Sequence, residues 1–320
     1  MVRIAAPTLE IIAEAGRILA DGGLVGLPTE TVYGLAADAT DGKAVARIFA
    51  AKGRPAFNPL IIHVASVQDA EVLGIFNDNA HMLAAALWPG PLTMILPKAE
   101  HCPVSDLATA GLPTIALRMP ALKEAREIIA ASGKPIAAPS ANTSGTLSPT
   151  TAQHVADSLG DALELIVAAG ASTVGLESTV IDLTSEAPVI LRPGAVTPED
   201  IARVLGMKPD IDDGNHDAPK SPGQVLKHYA PKTPVRLNAT DLKDGEALLA
   251  FGPTLLGRTL SPQQKKNLSE GSDLHEAAAN LFGYLHSLDK GGFKSIAVMP
   301  VPNEGLGLAI NDRLKRAANS

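Results

Sequence analysis

The 320 residues predict an α/β protein: a strongly twisted mixed sheet, followed by a smaller Rossmann-like α/β unit. Three observations carry that prediction. Apolar residues make up 46% of the chain, enough to bury a sheet under helices. Short apolar runs alternate with helical stripes as far as residue 163, after which several strands follow one another directly. Direct succession calls for antiparallel neighbours, so the sheet is mixed rather than doubly wound. Beyond a proline-rich stretch the β/α alternation resumes for about 85 residues, the size of a small Rossmann-like unit.

The elements follow in order. Residues 8–22 read as a helix, with Thr8 as N-cap, a stripe of Leu9, Ile12, Ala13, Ala15, Ile18 and Leu19, and Gly22-Gly23 as the stop. Leu24–Leu27 is a short buried strand ended by Pro28. Helix 43–51 delivers Lys52, and strands follow at 60–64, 92–96 and 114–118, with helices at 79–87 and 121–131. Strand 135–138 runs into a loop of small residues at Ser140. Helix 150–159, with Ser148 or Thr150 as its cap, precedes strands at 165–168, 178–183 and 189–191 and helix 198–205. Residues 207–233 carry Pro209, Pro219, Pro222 and Pro231 with almost no apolar periodicity and read as a linker. Strands at 235–237, 247–251 and 295–298 and helices at 273–288 and 307–317 make the second unit. It lacks G-x-G-x-x-G, so no nucleotide site is assigned to it. The expected division is a catalytic domain over 1–206, a linker over 207–233 and a small Rossmann-like domain over 234–320.

Composition excludes several classes. Aromatics are only 3% of the chain, too few for a base-stacking platform. The net charge is −7, with 13 Lys and Arg against 21 Asp and Glu up to residue 206, so no global basic footprint for RNA exists. An anion site must therefore be a local concentration of cations. Cys102 is the single cysteine, which rules out an intramolecular disulfide and a cysteine-based zinc site. No basic segment with an apolar core opens the chain, and no apolar run reaches membrane-spanning length, so the cytoplasm is the expected compartment.

Three motifs suggest chemistry. Lys52-Gly53-Arg54-Pro55 with Asn58-Pro59 puts two cations on a stiffened turn. Taken alone, this is also an ordinary solvated surface turn. Pro139-Ser140-Ala141-Asn142-Thr143-Ser144-Gly145 offers short donors and close backbone, which suits phosphate, though Ser and Asn clusters also make turns. Pro28-Thr29-Glu30-Thr31-Val32-Tyr33-Gly34-Leu35 leaves a strand dense in hydroxyls.

Together these motifs resemble the YrdC-like threonylcarbamoyl-AMP synthase family. The resemblance also covers His63, W-P-G-P-L-T at 88–93, Leu117-Arg118-Met119-Pro120, A-P-S-A-N-x-S-G at 138–145, Glu177-Ser178-Thr179-Val180, Leu191-Arg192-Pro193-Gly194 and S-P-G-x-x-x-x-H-Y-A-P at 221–231. The last motif marks the two-domain branch. The resemblance implies a nucleotidyltransferase that condenses L-threonine, bicarbonate and ATP, the ATP accompanied by magnesium, into threonylcarbamoyl-AMP and pyrophosphate. Its product would pass to the machinery that makes N6-threonylcarbamoyladenosine in tRNA, with a possible weak contact to tRNA or double-stranded RNA. By the same resemblance, Lys52, Arg54, Ser140 and Asn142 are the catalytic set. Arg54, Asn58, Thr114, Ser140, Ser148, Arg192 and Tyr229 would bind ATP, and Thr31, His63, Arg118, Ala138 and Ser178 would bind threonine. Trp88 is assigned to the core. Ser221–Pro231, with Gly223 as hinge and His228-Tyr229 at its end, is expected to fold over the nucleotide as a lid. The sequence departs from the usual family pattern at Ala36, Gln224 and Leu226. Two other readings share this core. A carbamoyl-adenylate-forming hydrogenase-maturation enzyme would bring an acylphosphatase-like domain and cysteine-rich zinc motifs. A non-catalytic double-stranded RNA-binding module would bring net positive charge.

Overall fold

The computed structural model describes residues 2–55, 57–212 and 229–319. Among them, eleven strands form one twisted mixed sheet. The spatial order is Arg3–Ala5, Leu165–Val167, Val25–Leu27, Gly34–Asp38, Ile136–Ala137, Ile61–His63, Thr114–Arg118, Leu92–Pro97, Thr179–Asp182, Val189–Arg192 and Asp210–Ile211. Parallel and antiparallel pairs are interspersed: Ile61–His63 runs parallel to Thr114–Arg118, which runs antiparallel to Leu92–Pro97. The predicted mixed sheet is thus present.

Helix Leu9–Ala20 begins as its sequence dictates, with the Thr8 side chain accepting from the Ile11 amide. It packs on helix Lys123–Ser132, and Ile12, Leu19, Ile128 and Ile129 form an apolar layer against one face of the sheet. The main core, which includes Leu35, Ile48, Ile62, Leu83, Leu117, Val155 and Ile201, fills the other side. Trp88 belongs there, buried, its indole N–H donating to Leu92 O at 2.8 Å.

Several elements carried too little pattern to be predicted. Arg3–Ala5 and Gly34–Asp38 are strands, and Asp210–Ile211 adds a parallel edge strand inside the stretch read as linker. The helix expected over 150–159 starts at Ala152, and its N-cap is Thr151, not Ser148 or Thr150. Ser148 is committed elsewhere, donating to the Glu177 carboxylate.

The second domain carries a four-stranded, all-parallel sheet in the order Val235–Arg236, Ser295–Val298, Glu246–Ala250, Lys265–Asn267. Helices Leu274–Asp289 and Leu306–Ala318 pack against each other. Its core reaches across the domain boundary, because Val32, Leu147 and Leu176 join Leu281, Phe282 and Ile310 in one buried cluster. Polar contacts reinforce the junction: Lys290 pairs with Asp157 at 2.8 Å, and the His154 and His286 rings stack with centroids 3.9 Å apart. Among the described residues, no helix is long and apolar enough to cross a membrane.

Candidate active site

The cavity lies on one face of the central strands, and strand periodicity explains who lines it. Side chains two apart share a face. Ile61 and His63, and Ala116 and Arg118, therefore point the same way. Ile61, which lines the cavity, packs with Ile95, Ala116, Val180 and Leu191 in an apolar cluster on that face. Thr31, His63, Arg118, Ala138 and Ser178, the five residues of the expected threonine set, all line one cavity. Arg54, Ser140, Arg192 and Tyr229, from the ATP set, line it too, together with Val32, Leu60, Ile61, Pro139 and Glu177.

At one end, Arg118 Nη2 donates to Glu30 Oε1 at 2.6 Å, with both side chains buried. Burial alone would raise the Glu30 carboxyl; the Arg118 charge and hydrogen bond outweigh it and hold it below the usual carboxylate range. Arg118 Nε donates to Gly90 O, and Nη1 makes no hydrogen bond among the described residues. His63 is fully buried in this charged corner. Burial, with Arg118 alongside, pushes its imidazole down to about 3, so it is neutral at physiological pH. Its Nδ1 has no partner among the described residues. Hydroxyls complete the corner: Thr31 bonds Thr29 at 2.9 Å, and Ser178 bonds Thr93 at 2.7 Å.

At the other end, Gly53 ends helix Gly42–Lys52 in the left-handed conformation, which lets the chain reverse and turns Arg54 inward. Arg54 is buried and donates to Asn58 O at 3.4 Å and Pro59 O at 3.1 Å. Among the described residues it forms no ion pair. Burial, with Arg192 nearby, lowers its guanidinium to about 10, so it stays charged at neutral pH. Arg192 donates to Ser178 O at 2.9 and 3.1 Å and to Ser178 Oγ at 3.1 Å. Gly194 makes that approach feasible: a Cβ there would sit 2.3 Å from the Thr179 nitrogen and 2.6 Å from Glu177 O.

Not every predicted residue faces the cavity. Lys52 is buried, and its ammonium donates to Ser140 O and Asn142 O, both at 2.5 Å, clamping the small-residue loop. Burial, then the charge of Arg54, pulls its pKa well below the ordinary value. Asn142 spends its amide N–H groups on Thr143 O and Thr146 O, while its Oδ1 and that of Asn58 have no partner among the described residues. Thr114 starts the strand that Arg118 ends; it shares a face with Arg118 but lies roughly 13 Å away along the strand. Ser148 sits behind the wall on Glu177. Of the lid, Ser221–His228, with Gly223, Gln224 and Leu226, lie outside the described residues. Tyr229 is buried, has φ +65°, and packs its ring against Phe282 of the second domain.

Three charged residues escaped the sequence reading as functional groups: Glu30, Glu177 and Arg313. The carboxylates stood inside quoted motifs. Arg313 interrupts the apolar stripe Leu306, Ala309, Ile310, Leu314, Ala317 of its helix, which is the signal that could have found it.

Comparison with known proteins agrees with this picture. The family model described as "Telomere recombination" matches residues 17–194, and the model for the threonylcarbamoyl-AMP synthase C-terminal domain matches 196–319. The chain is 42% identical to a threonylcarbamoyl-AMP synthase of Pyrococcus abyssi, over 95% of this chain and 93% of that one. It is 40% identical to the Bacillus subtilis protein of the same name, over 96% and 92% respectively. A crystal structure of Pyrococcus abyssi Sua5 complexed with L-threonine superposes with a TM-score of 0.89 at 40% identity, covering 99% of this chain and 97% of that one. A full-length HypF structure shares the fold alone, at 19% identity and TM-score 0.51 over 57% of this chain.

Proposed function

The chain belongs to the threonylcarbamoyl-AMP synthase family, and from that premise we propose how its cavity performs the nucleotidyltransferase reaction that supplies tRNA threonylcarbamoylation. The observation that carries the reading is the convergence of two residue sets on one cavity. The Arg118 corner suits a threonine zwitterion: Arg118 Nη1 for the carboxylate, and neutral His63 with the hydroxyls of Thr31 and Ser178 for the side-chain hydroxyl. Ala138 narrows the wall against larger side chains. The Arg54 and Arg192 end suits phosphate, which would bring the negative charge that Arg54 lacks.

The threonine ammonium gives up a proton to solvent; the free amine attacks bicarbonate, a C–N bond forms, and water departs to leave a carbamate. A carbamate oxygen then attacks the α-phosphorus of ATP, and the bond to pyrophosphate breaks. The protein supplies position and charge rather than covalent intermediates. Lys52 holds the Ser140–Asn142 loop so that Ser140 borders the phosphates, and Asn58 stiffens the turn that presents Arg54. With Thr114 on the face that Arg118 shares, the nucleotide would extend along that strand. Magnesium accompanies ATP as part of the substrate. Tyr229 closes over the adenylate, which sheds water poorly tolerated by carbamate and acyl phosphate alike. We assign 1–206 to the catalytic domain and 234–320 to the second domain, joined through 207–233. We place the enzyme in the cytoplasm, where its product meets the tRNA-modifying machinery; any contact with RNA is secondary.

The test is mass spectrometry of the adduct made from threonine, labelled bicarbonate and ATP, with pyrophosphate release followed in parallel. The labelled carbon should appear in threonylcarbamoyl-AMP. Absence of the adduct, under conditions where the Bacillus subtilis relative makes it, overturns the reading.

A further inference from the structure

We propose that Arg313, on the last helix of the second domain, is a positioning residue of the active site: one guanidinium that sets three separate segments of the cavity wall. The inference rests on the function proposed above. Arg313 is 1% exposed, on a face otherwise made of Ala309, Ile310, Leu314 and Ala317. A charge is retained in such a place only when several groups hold it. Its Nε donates to Glu177 Oε2 at 2.9 Å, its Nη1 donates to Pro193 O at 2.9 Å and to Asp312 Oδ2 at 2.8 Å, and its guanidinium lies 5.3 Å from the centre of the Tyr229 ring.

Each wall contact leads to the cavity. Glu177 and Tyr229 line it, and Pro193 follows Arg192, which also lines it. These pieces come from the approach to strand Thr179–Asp182, the end of strand Val189–Arg192 and the end of the linker. The planar fork can serve two of them by hydrogen bonds and the third through the ring face at once, which an ammonium cannot. Glu177 feels the charge of both Arg313 and Arg192. Held by Arg313 on one oxygen and by Ser148 on the other, its carboxylate is kept from collapsing onto Arg192 and weakening the charge offered to phosphate.

General adhesion between the domains does not account for this arrangement. The Lys290–Asp157 pair and the His154–His286 stack also join the domains, and none of those four residues lines the cavity. That contrast supplies the test. Arg313→Met, Arg313→Lys, Arg313→Ala and the junction control Asp157→Asn/Lys290→Met are compared with the unaltered protein for kcat, for KM of ATP and threonine, and for thermal melting. Arg313→Met should lower kcat/KM for ATP about a hundredfold, as a small misplacement of the reacting groups does. Arg313→Lys, which keeps the charge but not the fork, should lose about tenfold. The control, an exposed pair, should stay within about fivefold of the unaltered protein. Added guanidinium ion should restore part of the activity of Arg313→Ala.

The inference is overturned if Arg313→Met melts as a folded protein and turns over within the control's range. It is equally overturned if Arg313→Met and the control lose activity alike and guanidinium rescues nothing. Adduct formation by the unaltered protein tests the reaction, while the ratio between variant and unaltered protein tests Arg313. Calorimetric ATP affinity supplies that ratio even if no adduct forms.

Discussion

The two ends of the cavity treat charge in opposite ways. At the threonine end, Arg118 is matched by Glu30, a pair that leaves the corner nearly neutral and is bonded on both sides. At the nucleotide end, Arg54 rests on backbone carbonyls and has no ion pair among the described residues. A matched corner suits a zwitterion, whose own charges cancel. A guanidinium held by carbonyl dipoles, as Arg54 is, suits a polyanion, which brings the missing charge itself. Arg118 and Arg54 are therefore held in opposite ways, and variants at the two positions should behave differently.

The sharpest contrast is in stability. Arg118→Met strands Glu30 in a buried site, and breaking such a pair costs about 3–5 kcal/mol. A large drop in the denaturation midpoint, together with lost threonine binding, is expected. Arg54→Met removes a charge that no described residue pairs with, so the free protein should melt at the same temperature or higher, while ATP-dependent turnover falls by about 1.5–3 kcal/mol in transition-state free energy. If both variants destabilise equally in calorimetry, the proposed asymmetry is absent. A third difference concerns substrate: serine lacks the threonine methyl, so its kcat/KM should fall about 10–200-fold, with the change confined to the amino-acid end and ATP affinity unmoved.

The last contrast is a pH dependence that builds up gradually. His63 is held down to about 3 in the folded protein, against an ordinary value near 6.5. Above pH 6.5 the group is neutral in both folded and unfolded chains and makes no difference. As pH falls below 6.5 the unfolded chain takes up a proton that the folded one refuses. Stability should therefore decline by about 1.4 kcal/mol per pH unit toward pH 3 from this group. His63→Gln should flatten that part of the profile; an unchanged profile would mean that the imidazole is not kept neutral.

The sequence was most legible where period and punctuation agree. Helix Leu9–Ala20, strand Thr114–Arg118 and helix Pro198–Leu205 emerged nearly to the residue, because apolar spacing, caps and glycines pointed the same way. Gly34–Asp38 was missed because G-L-A-A-D, buried throughout, has no alternation to read. Lys265–Asn267 was missed because a polar strand at the sheet edge looks like a loop. At the site, motif residues came together, but sequence could not say which would face the cavity. Lys52 and Asn142 bind the loop itself, a distinction set by the Lys52 carbonyl contacts and invisible in a string of letters. Partners from other segments, Glu30 for Arg118 and Arg313 for Glu177, depend on tertiary placement alone.

The strand order described above also has a kinetic consequence. Cavity residues run from Thr31 to Tyr229, and sheet neighbours such as Arg3–Ala5 and Leu165–Val167 are remote in the chain. Contacts of that kind cannot form until long loops have closed, so assembly of this sheet should be slow compared with its helices. A nascent chain emerges amino end first, so Glu177 is made well before helix Leu306–Ala318 arrives to engage it. Full competence to bind ATP should thus appear late during refolding, once that helix has docked.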